Sequence, residues 1–370
     1  MTSQIANKPI LLTDDNHVSH STLGLGMNLS LLALMACVLV VIFVLSLVIG
    51  SVNIPLDNVV RVLLGGEADK TAWTNIILKF RLPRALTAVL AGAALAASGL
   101  MMQTFFRNPL AGPFILGISS GASLGVALVV LSAGTVGATL IAGIGLQGDF
   151  LLAAAAAVGA GLSMTVVMLV ARRVQSSTTL LIVGMMMGYL TSALVSLLLY
   201  FAIPERIQAY ISWTFGSFSS VTWGQMSILA PAVILGLLMT LPLTKALNAL
   251  LLGEAYARSM GLNVARARLG IITTTAILAG AVTAFCGPIG FLGLAVPHLC
   301  RGLFNTSDHR TLLPASMLLG AIVALVAGII AEVPGSSTML PLNAVTSFIG
   351  APVVIWVILR QNNRFSEAHS

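Results

Sequence analysis

Long apolar runs recur along this chain and constrain its fold more than any other feature of the sequence. Hydrocarbon about 30 Å thick needs roughly 20 apolar residues for each crossing helix. Of the 370 residues, 58% are hydrophobic and only 8% are charged, unlike the composition of a soluble protein. We therefore expect an all-α, polytopic membrane protein with about ten transmembrane helices surrounded by membrane lipid.

Charged residues and clusters of proline and glycine divide the apolar sequence into separate predicted spans. The spans are Asn28–Gly50, Ala85–Phe106, Pro113–Ala133, Leu151–Ala171, Thr178–Ile203, Gln225–Leu243, Leu269–Cys286, Ile289–Leu303, Leu312–Ala331 and Ala344–Leu359. The eighth is short and rich in glycine and proline, which predicts half a helix or a broken one. The spans form one membrane domain at residues 28–360, between a polar N-terminal tail at 1–27 and a C-terminal tail at 361–370. Because the N-terminal tail is polar and mixed in charge, the first span is expected to be retained rather than cleaved as a signal peptide.

The distribution of basic residues predicts how the spans cross the membrane. Ten spans put both termini on one side, and cytoplasmic loops carry an excess of lysine and arginine. Cytoplasmic termini place these basic residues inside: Lys8, Arg107, Arg172, Arg173, Lys245, Arg258, Arg266, Arg268, Arg301, Arg310, Arg360 and Arg364. They leave these outside: Arg61, Lys70, Lys79, Arg81, Arg84 and Arg206. We therefore predict cytoplasmic termini, and this scattered pattern explains the positive net charge better than a nucleic-acid partner does.

Two arginines in the stretch RLPRALTAVLAGAALAASG lie at the outer end of the second span, against this bias. One explanation for Arg81 and Arg84 is that the loop at 51–80 is long enough to escape the charge rule. The other is that they dock an external partner with acidic patches. The residues themselves leave both explanations open.

The sequence indicates no enzyme. It contains no G-x-x-x-x-G-K-[ST] phosphate loop and no His-Glu-x-x-His zinc motif, and no Ser, His and Asp set stands out in its loops. We therefore expect no catalytic, cofactor-binding or metal-binding residue. Of the eleven acidic residues only Glu332 touches a span end, whereas ion-coupled carriers usually keep carboxylates near the bilayer midplane. If the protein moves a solute uphill, a separate ATP-hydrolysing chain is the expected source of energy.

The largest predicted inside loop is KALNALLLGEAYARSMGLNVARAR, at Lys245–Arg268. Its apolar and charged residues are interleaved, which predicts a short amphipathic helix that ends near Gly261 and a second helix after it. Such a helix lies on the membrane surface or docks in a groove of a soluble partner. Composition alone does not separate these two roles.

Glycines and methionines are concentrated at particular places in the spans, as in NPLAGPFILGISSGASLG and CGPIGFLGLAVPH. Small residues allow close helix packing, and glycine and proline also break helices that line a cavity. Methionine fills gaps in a core, but it could also line a passage for a bulky apolar or chelated solute. The candidate lining residues are Met101, Met102, Met185, Met186, Met187, Gly117 and Gly121.

Four stretches of the chain resemble the FecCD-type permeases of ABC importers, a family that takes up ferric siderophores, haem and cobalamin. They are RLPRALTAVLAGAALAASGLMMQTFFRNPLAGPFILGISSGASLG, LLGEAYARSMGLNVARAR, GPIGFLGLAVPHLCR and IGAPVVIWVIL. The resemblance keeps the family's order and spacing from about Gly50 to Arg360, which makes it more specific than any single motif.

The resemblance implies a BtuC-like type II ABC importer permease in the bacterial cytoplasmic (inner) membrane. It implies a second permease subunit, identical or paralogous, and an extracytoplasmic substrate-binding protein. It also implies two cytoplasmic ATPases, which would bind ATP and Mg²⁺, so that this chain itself would need no cofactor. The implied solute is a ferric siderophore, with haem and cobalamin as alternatives. An ion-coupled carrier or channel and a non-transporting membrane scaffold are the rival classes.

The resemblance also assigns two groups of site residues. The coupling helices, at 250–264, would contact the ATPase through Glu254, Ala255, Arg258, Gly261 and Leu262. Arg81 and Arg84 match outer arginines that pair with glutamates of the binding protein. At the end of the ninth span the family pattern A-D-x-x-A-R reads AGIIAE, so Glu332 stands in the arginine position. Either the binding protein carries a basic or neutral residue opposite Glu332, or Glu332 only caps a loop.

Overall fold

In the computed structural model, which describes residues 17–131, 149–174, 176–333, 335–336 and 338–367, every regular element is helical. The α-helices are α1 (His17–Val48), α2 (Leu56–Leu63), α3 (Thr71–Ile76), α4 (Leu82–Phe106), α5 (Ile118–Leu131), α6 (Asp149–Arg173), α7 (Ser177–Tyr200), α8 (Pro204–Thr214), α9 (Trp223–Leu251), α10 (Glu254–Ser259), α11 (Val264–Cys286), α12 (Leu292–Phe304), α13 (His309–Ala331) and α14 (Leu342–Glu367). A π-helical turn at Ile77–Arg81 leads into α4, and a 3₁₀ turn at Pro113–Leu116 precedes α5. The predicted all-α class is confirmed.

Each of the ten predicted spans contains an α-helix. Among the described residues, seven helices are long and apolar enough to cross a membrane, and three apolar helices are shorter. The predicted short eighth span is one of the three: α12 begins at Leu292 rather than Ile289 and contains Pro297. The backbone between Gly287 and Phe291 is not helical, as the glycine and proline content of this stretch indicates.

The tails differ from the prediction because the adjoining helices continue into them. The first helix begins at His17, before the predicted span at Asn28, and the last continues to Glu367, past Leu359. A helix satisfies its own backbone hydrogen bonds, so it need not end where the hydrocarbon ends. Residues 1–16 and 368–370 of the predicted tails, and 132–133 of the third span, lie outside the described residues.

The centre of the bundle is α4, which packs against α9, α11, α12 and α13. The apolar segment Thr71–Phe106 ends with α4, and 83% of the residues in its most apolar part are buried. In the corresponding part of α1, only 17% are buried. Gly92 faces Gly320 of α13, and Gly99 faces Gly293 of α12, so closely that a Cβ would overlap the facing backbone. Small residues at these crossings let the helices approach each other.

The antiparallel helices α4 and α13 define the two ends of the bundle. At one end, which we call the cluster face, Arg84 near the start of α4 pairs with Glu332 directly after α13. At the other end, Thr104 of α4 and the last turns of α9 contact His309 at the start of α13. Because α10 follows α9 there, we call this end the α10 face. The cytoplasmic location of the α10 face and of both termini stays a prediction.

Candidate functional site

Arg81 on the cluster face caps the C-terminal end of α1. Its guanidinium group donates hydrogen bonds to the backbone carbonyl oxygens of Leu47 and Val48, at 2.7 and 2.9 Å, and to that of Val52. The last carbonyl groups of a helix lack partners within the helix, and positive charge is stabilising there. Arg81 is only 4% exposed, so its charge is used inside the chain.

Arg84, one turn further along α4, forms an ion pair with Glu332. The two side chains are only 10% and 14% exposed. The backbone carbonyl of Ser46 lies 3.5 Å from the guanidinium group of Arg84 and accepts a further hydrogen bond. Since a charge removed from water needs a partner of opposite sign, Glu332 has a role within the chain as the counter-ion of Arg84.

This geometry bears on the docking role of Arg81, Arg84 and Glu332, which stays a prediction. The structure buries Arg81 and pairs Arg84 with Glu332 within the chain, and both residues of that pair also line a cavity of about 400 Å³ on the cluster face. The preceding segment carries three exposed basic side chains: Lys70, Lys79 and Arg61, the last of which pairs with Asp69. Docking of a binding protein stays a prediction, and its direct contacts would come from such exposed residues.

On the α10 face, two glycines with positive φ enclose the six-residue helix α10. Gly253 (φ 102°) directly precedes it, and Gly261 (φ 83°) follows shortly after its end. Glycine adopts such φ values without steric cost, so these positions allow the sharp turns from α9 into α10 and from α10 towards α11. The predicted short helix ending near Gly261 is confirmed, and the second predicted helix is the start of α11.

Glu254 ties α10 to the rest of the bundle. Its two carboxylate oxygens lie 3.2 Å from Arg268 and 3.5 Å from Arg258. The buried Arg268 also donates to the backbone carbonyl of Val174, at 2.6 Å, just after α6. The side chain of Arg258, in contrast, is 54% exposed and is accessible to a partner. One acidic residue thus joins a buried arginine of α11 to an exposed arginine of α10.

The remaining predicted contacts on this face differ in exposure. Ala255 and Gly261 are exposed, whereas Leu262 is half-buried against the core. Three exposed apolar residues beside them are absent from the predicted contacts: Leu252, Tyr256 and Met260. Tyr256 lies within α10, whereas Leu252 precedes the turn at Gly253 and Met260 directly follows the helix. The signal in the sequence is the presence of large apolar residues in a short segment that is otherwise charged or small.

A buried hydrogen-bond network joins α4, α9 and α13 next to α10. The ring of His309 lies 2.8 Å from the side-chain oxygen of Asn248 and 2.7 Å from the hydroxyl of Thr104. Asn248 also donates to Asp308 at 2.6 Å, and Asp308 caps α13 by accepting from the backbone N–H of Arg310. His309 and Thr104 are 205 residues apart, so no local spacing in the sequence could have found this network.

Four of the candidate passage residues lie in the packed interior. Met101 and Met102 are fully buried in α4. Gly121 faces the backbone of Gly159 on α6, and the buried Gly117 ends the 3₁₀ turn with φ 77°. A passage shared with a second subunit must be lined by surface of each chain, so these positions favour the packing explanation over the lining prediction.

The methionines of α7 differ from those of α4. Met185 and Met186 are exposed, and Met187 is half-buried against the core. An exposed thioether surface on a membrane-spanning helix contacts lipid, a second subunit or a solute. The lining role of these three residues stays a prediction.

Comparisons with known proteins place the chain in a family. Residues 38–360 match the model of the FecCD transport family. The vitamin B12 import system permease protein BtuC of Klebsiella pneumoniae subsp. pneumoniae is 40% identical over 291 residues, which cover 78% of this chain and 83% of that protein. The hemin transport system permease protein HmuU of Yersinia pestis is 36% identical over 331 residues, which cover 88% and 95%. A solved structure of an inward-facing ABC transporter, assigned to the metal-chelate type, superposes with a TM-score of 0.76 at 31% identity, covering 90% of this chain and 99% of that one.

Proposed function

The chain belongs to the FecCD transport family, and on this premise we propose that it carries a ferric siderophore across the bacterial cytoplasmic membrane. Membership makes it the permease component of an ABC importer for vitamin B12, haem or a metal chelate, with ATP hydrolysis in a separate subunit. Such permeases are multi-pass inner-membrane proteins that form dimers and work with ATPase and substrate-binding partners.

The observation that carries the ATP-driven importer part of the proposal is the construction of α10. Its outer side offers Arg258 and the exposed apolar residues Tyr256 and Met260 to a partner. Its inner side is fixed to α11 and to the end of α6 through Glu254 and Arg268. A helix that docks in a groove of an ATPase and transmits movement needs both an exposed side and a fixed base.

Movement of α10 reaches the opposite face through rigid helices. The end of α9, directly before α10, contacts α13 and, through His309, α4. These two helices meet again on the cluster face, where Arg84 pairs with Glu332. An ATP-driven importer alternates between a cavity open outward and one open inward. We therefore assign the ATPase contact to Glu254, Ala255, Arg258, Gly261 and Leu262, and the transmission to α4 and α13.

The cluster face is the proposed docking site of the extracytoplasmic binding protein. Exposed charges there, including Lys79 and Arg61, would make the direct contacts and steer association. Arg81, Arg84 and Glu332 would fix the ends of α1, α4 and α13 on which those contacts depend. On this proposal, both termini lie on the cytoplasmic side with the α10 face.

For the solute, haem and cobalamin are the second candidates, since permeases for both are among the similar relatives. A bulky chelate fits the exposed methionine surface of α7, where Met185 and Met186 provide adaptable apolar contacts. Uptake by cells that express the permease with its ATPase and binding protein separates these candidates. We expect ATP-dependent accumulation of a radiolabelled ferric siderophore, and uptake of labelled haem or cobalamin alone would overturn this assignment.

A second experiment tests the class of transporter. The purified chain alone should hydrolyse no ATP and should not transport in liposomes, and both activities should appear when the ATPase subunits are added. Transport by the chain alone would indicate a channel or secondary carrier, and intrinsic ATP turnover would contradict the permease assignment.

A further inference from the structure

A cavity of about 640 Å³ lies on the α10 face between the end of α6, α10 and the start of α11. This volume is within the range of about 300–1,000 Å³ that is usual for small-molecule sites. Its apolar lining comes from membrane-spanning parts of α6 and α11, with Met168, Leu269 and Ile272. Four arginines also line it: Arg172, Arg258, Arg266 and Arg268.

The charge of this cavity favours an anion. Among the residues that the structure describes, none that lines the cavity is acidic, and the adjacent Glu254 already interacts with both Arg258 and Arg268. Arg172 and Arg266 are exposed and belong to different helices, in the last turn of α6 and the first turn of α11. Concentrated positive charge at a concave surface raises the local concentration of anions.

The position of the cavity selects the kind of anion. Both α6 and α11 are membrane spans, and the cavity lies where these two helices reach the end of their apolar segments. Phospholipid headgroups occupy this depth, and their acyl chains lie against the adjoining apolar helix surface. The exposed Leu269, one turn inside Arg266, continues the apolar lining from the arginines towards the hydrocarbon. A soluble anion would use only the arginines, whereas a phospholipid uses both the arginines and the apolar lining.

We propose that this cavity binds one anionic phospholipid, with the phosphate group held by Arg172 and Arg266 and an acyl chain against Leu269 and Ile272. Basic pockets between transmembrane helices on the cytoplasmic side are typical sites for anionic headgroups. The site requires only that α6 and α11 span the membrane, and its assignment to the inner leaflet rests on the proposed function. Because Arg258 and Arg268 line the same cavity, the bound lipid also supports the base of α10.

Native mass spectrometry of the full chain in a mild detergent tests this site. Dioleoyl phosphatidylglycerol and dioleoyl phosphatidylcholine, with the same acyl chains, serve as the probes. The wild-type chain should retain phosphatidylglycerol in preference to phosphatidylcholine. The double variant Arg172→Gln/Arg266→Gln should bind phosphatidylglycerol about thirtyfold more weakly, from the loss of two arginines near the headgroup. These two residues are exposed, so their replacement leaves the fold intact.

The matched control is Arg173→Gln/Arg310→Gln, which removes the same charge from the same face outside the cavity. It should retain phosphatidylglycerol like the wild type. The site would be overturned if both double variants bound phosphatidylglycerol equally weakly, or if neither bound it more weakly than the wild type.

Displacement of the lipid by equimolar glycerol phosphate would overturn the lipid assignment in favour of a soluble phosphate. Loss of ATPase association with unchanged lipid retention would assign the cavity to the ATPase interface and also overturn the proposal. None of these outcomes depends on the transported solute, so they are distinct from failure of the proposed function.

Discussion

The arginines at the two faces of the bundle carry the same charge in the sequence but have different environments in the structure. On the cluster face, Arg81 and Arg84 are buried and are held by helix-end carbonyls and by Glu332. On the α10 face, Arg258 and Arg266 are exposed. A buried, paired charge fixes the positions of helices, whereas an exposed charge is accessible to a partner or a lipid headgroup. The number of charges at a face therefore does not tell how many of them can bind a partner.

Of the changes that distinguish the two faces, Glu332→Gln is expected to lower the free energy of unfolding most. The substitution leaves the charge of Arg84 buried without its counter-ion, which costs about 3–5 kcal/mol of unfolding free energy. Thermal unfolding in detergent micelles, followed by circular dichroism, measures the loss. The double variant Arg84→Gln/Glu332→Gln removes both charges and should recover most of it. If Glu332→Gln were as stable as the wild type, this ion pair would not stabilise the cluster face.

A smaller loss of stability is expected from Asp308→Ala, which removes a hydrogen-bonded carboxylate on the α10 face. Asp308 caps α13 and accepts from Asn248, so its removal should cost about 1 kcal/mol. Burial would raise the pKa of Asp308, but hydrogen bonds from Arg310 and Asn248 and the charges of Arg310 and His309 together lower the pKa below the ordinary value.

The pH dependence of Asp308→Ala provides its control. A carboxyl group with a lowered folded-state pKa contributes stability that is present above its unfolded-state pKa and is lost as pH falls through the folded-state pKa. The difference between wild type and variant in urea unfolding should therefore be full at neutral pH and shrink only in strong acid. A difference that does not change with pH would assign the effect to packing instead.

A still smaller stability effect is expected from Arg258→Gln, because its pair with Glu254 is exposed and such pairs contribute about 0.2–1 kcal/mol. The solute imported per ATP hydrolysed should nevertheless fall several-fold if, as proposed, Arg258 is the charge that α10 offers to the ATPase. Parallel measurements of unfolding and of coupled transport in proteoliposomes separate the two effects. Lys245→Gln, an exposed basic residue of α9 outside α10, should change neither quantity.

The smallest stability effect is expected from Lys79→Glu, because Lys79 is exposed. If the binding protein docks on the cluster face, this charge reversal should slow its association several-fold at low salt and less at high salt. Surface plasmon resonance with the purified binding protein measures the rate. Unchanged association in Lys79→Glu, together with normal stability, would exclude Lys79 as a docking contact.

Much of the fold could be predicted from the sequence because a membrane imposes one requirement on every crossing segment. Backbone groups in hydrocarbon must be satisfied internally, so an apolar run of sufficient length forms a helix. The short α12 could also be predicted, since glycine and proline shorten its helical part on the N-terminal side. The start of α1 and the end of α14 could not, because polar residues beyond the hydrocarbon can either continue a helix or end it.

The candidate sites could be predicted only where their chemistry is local. The helix α10 follows from the two glycines and the interleaved charges of one short stretch, GEAYARSMG. The burial of Arg81 and Arg84 does not follow from RLPRAL, because the groups that bind them belong to α1 and to the end of α13. The contact of His309 with Thr104 has the same origin, in helices that are adjacent only after folding.

The sequence by itself determined the membrane location, the helical class, the positions of the spans and the segment that forms α10, because these depend on hydrophobic length and local backbone preference. Only the tertiary structure decided which arginines are paired within the chain, which methionines are packed, and that α6, α10 and α11 enclose a basic cavity. The physical reason is that the environment of a charge depends on the helices that surround it, and those helices come from distant parts of the chain.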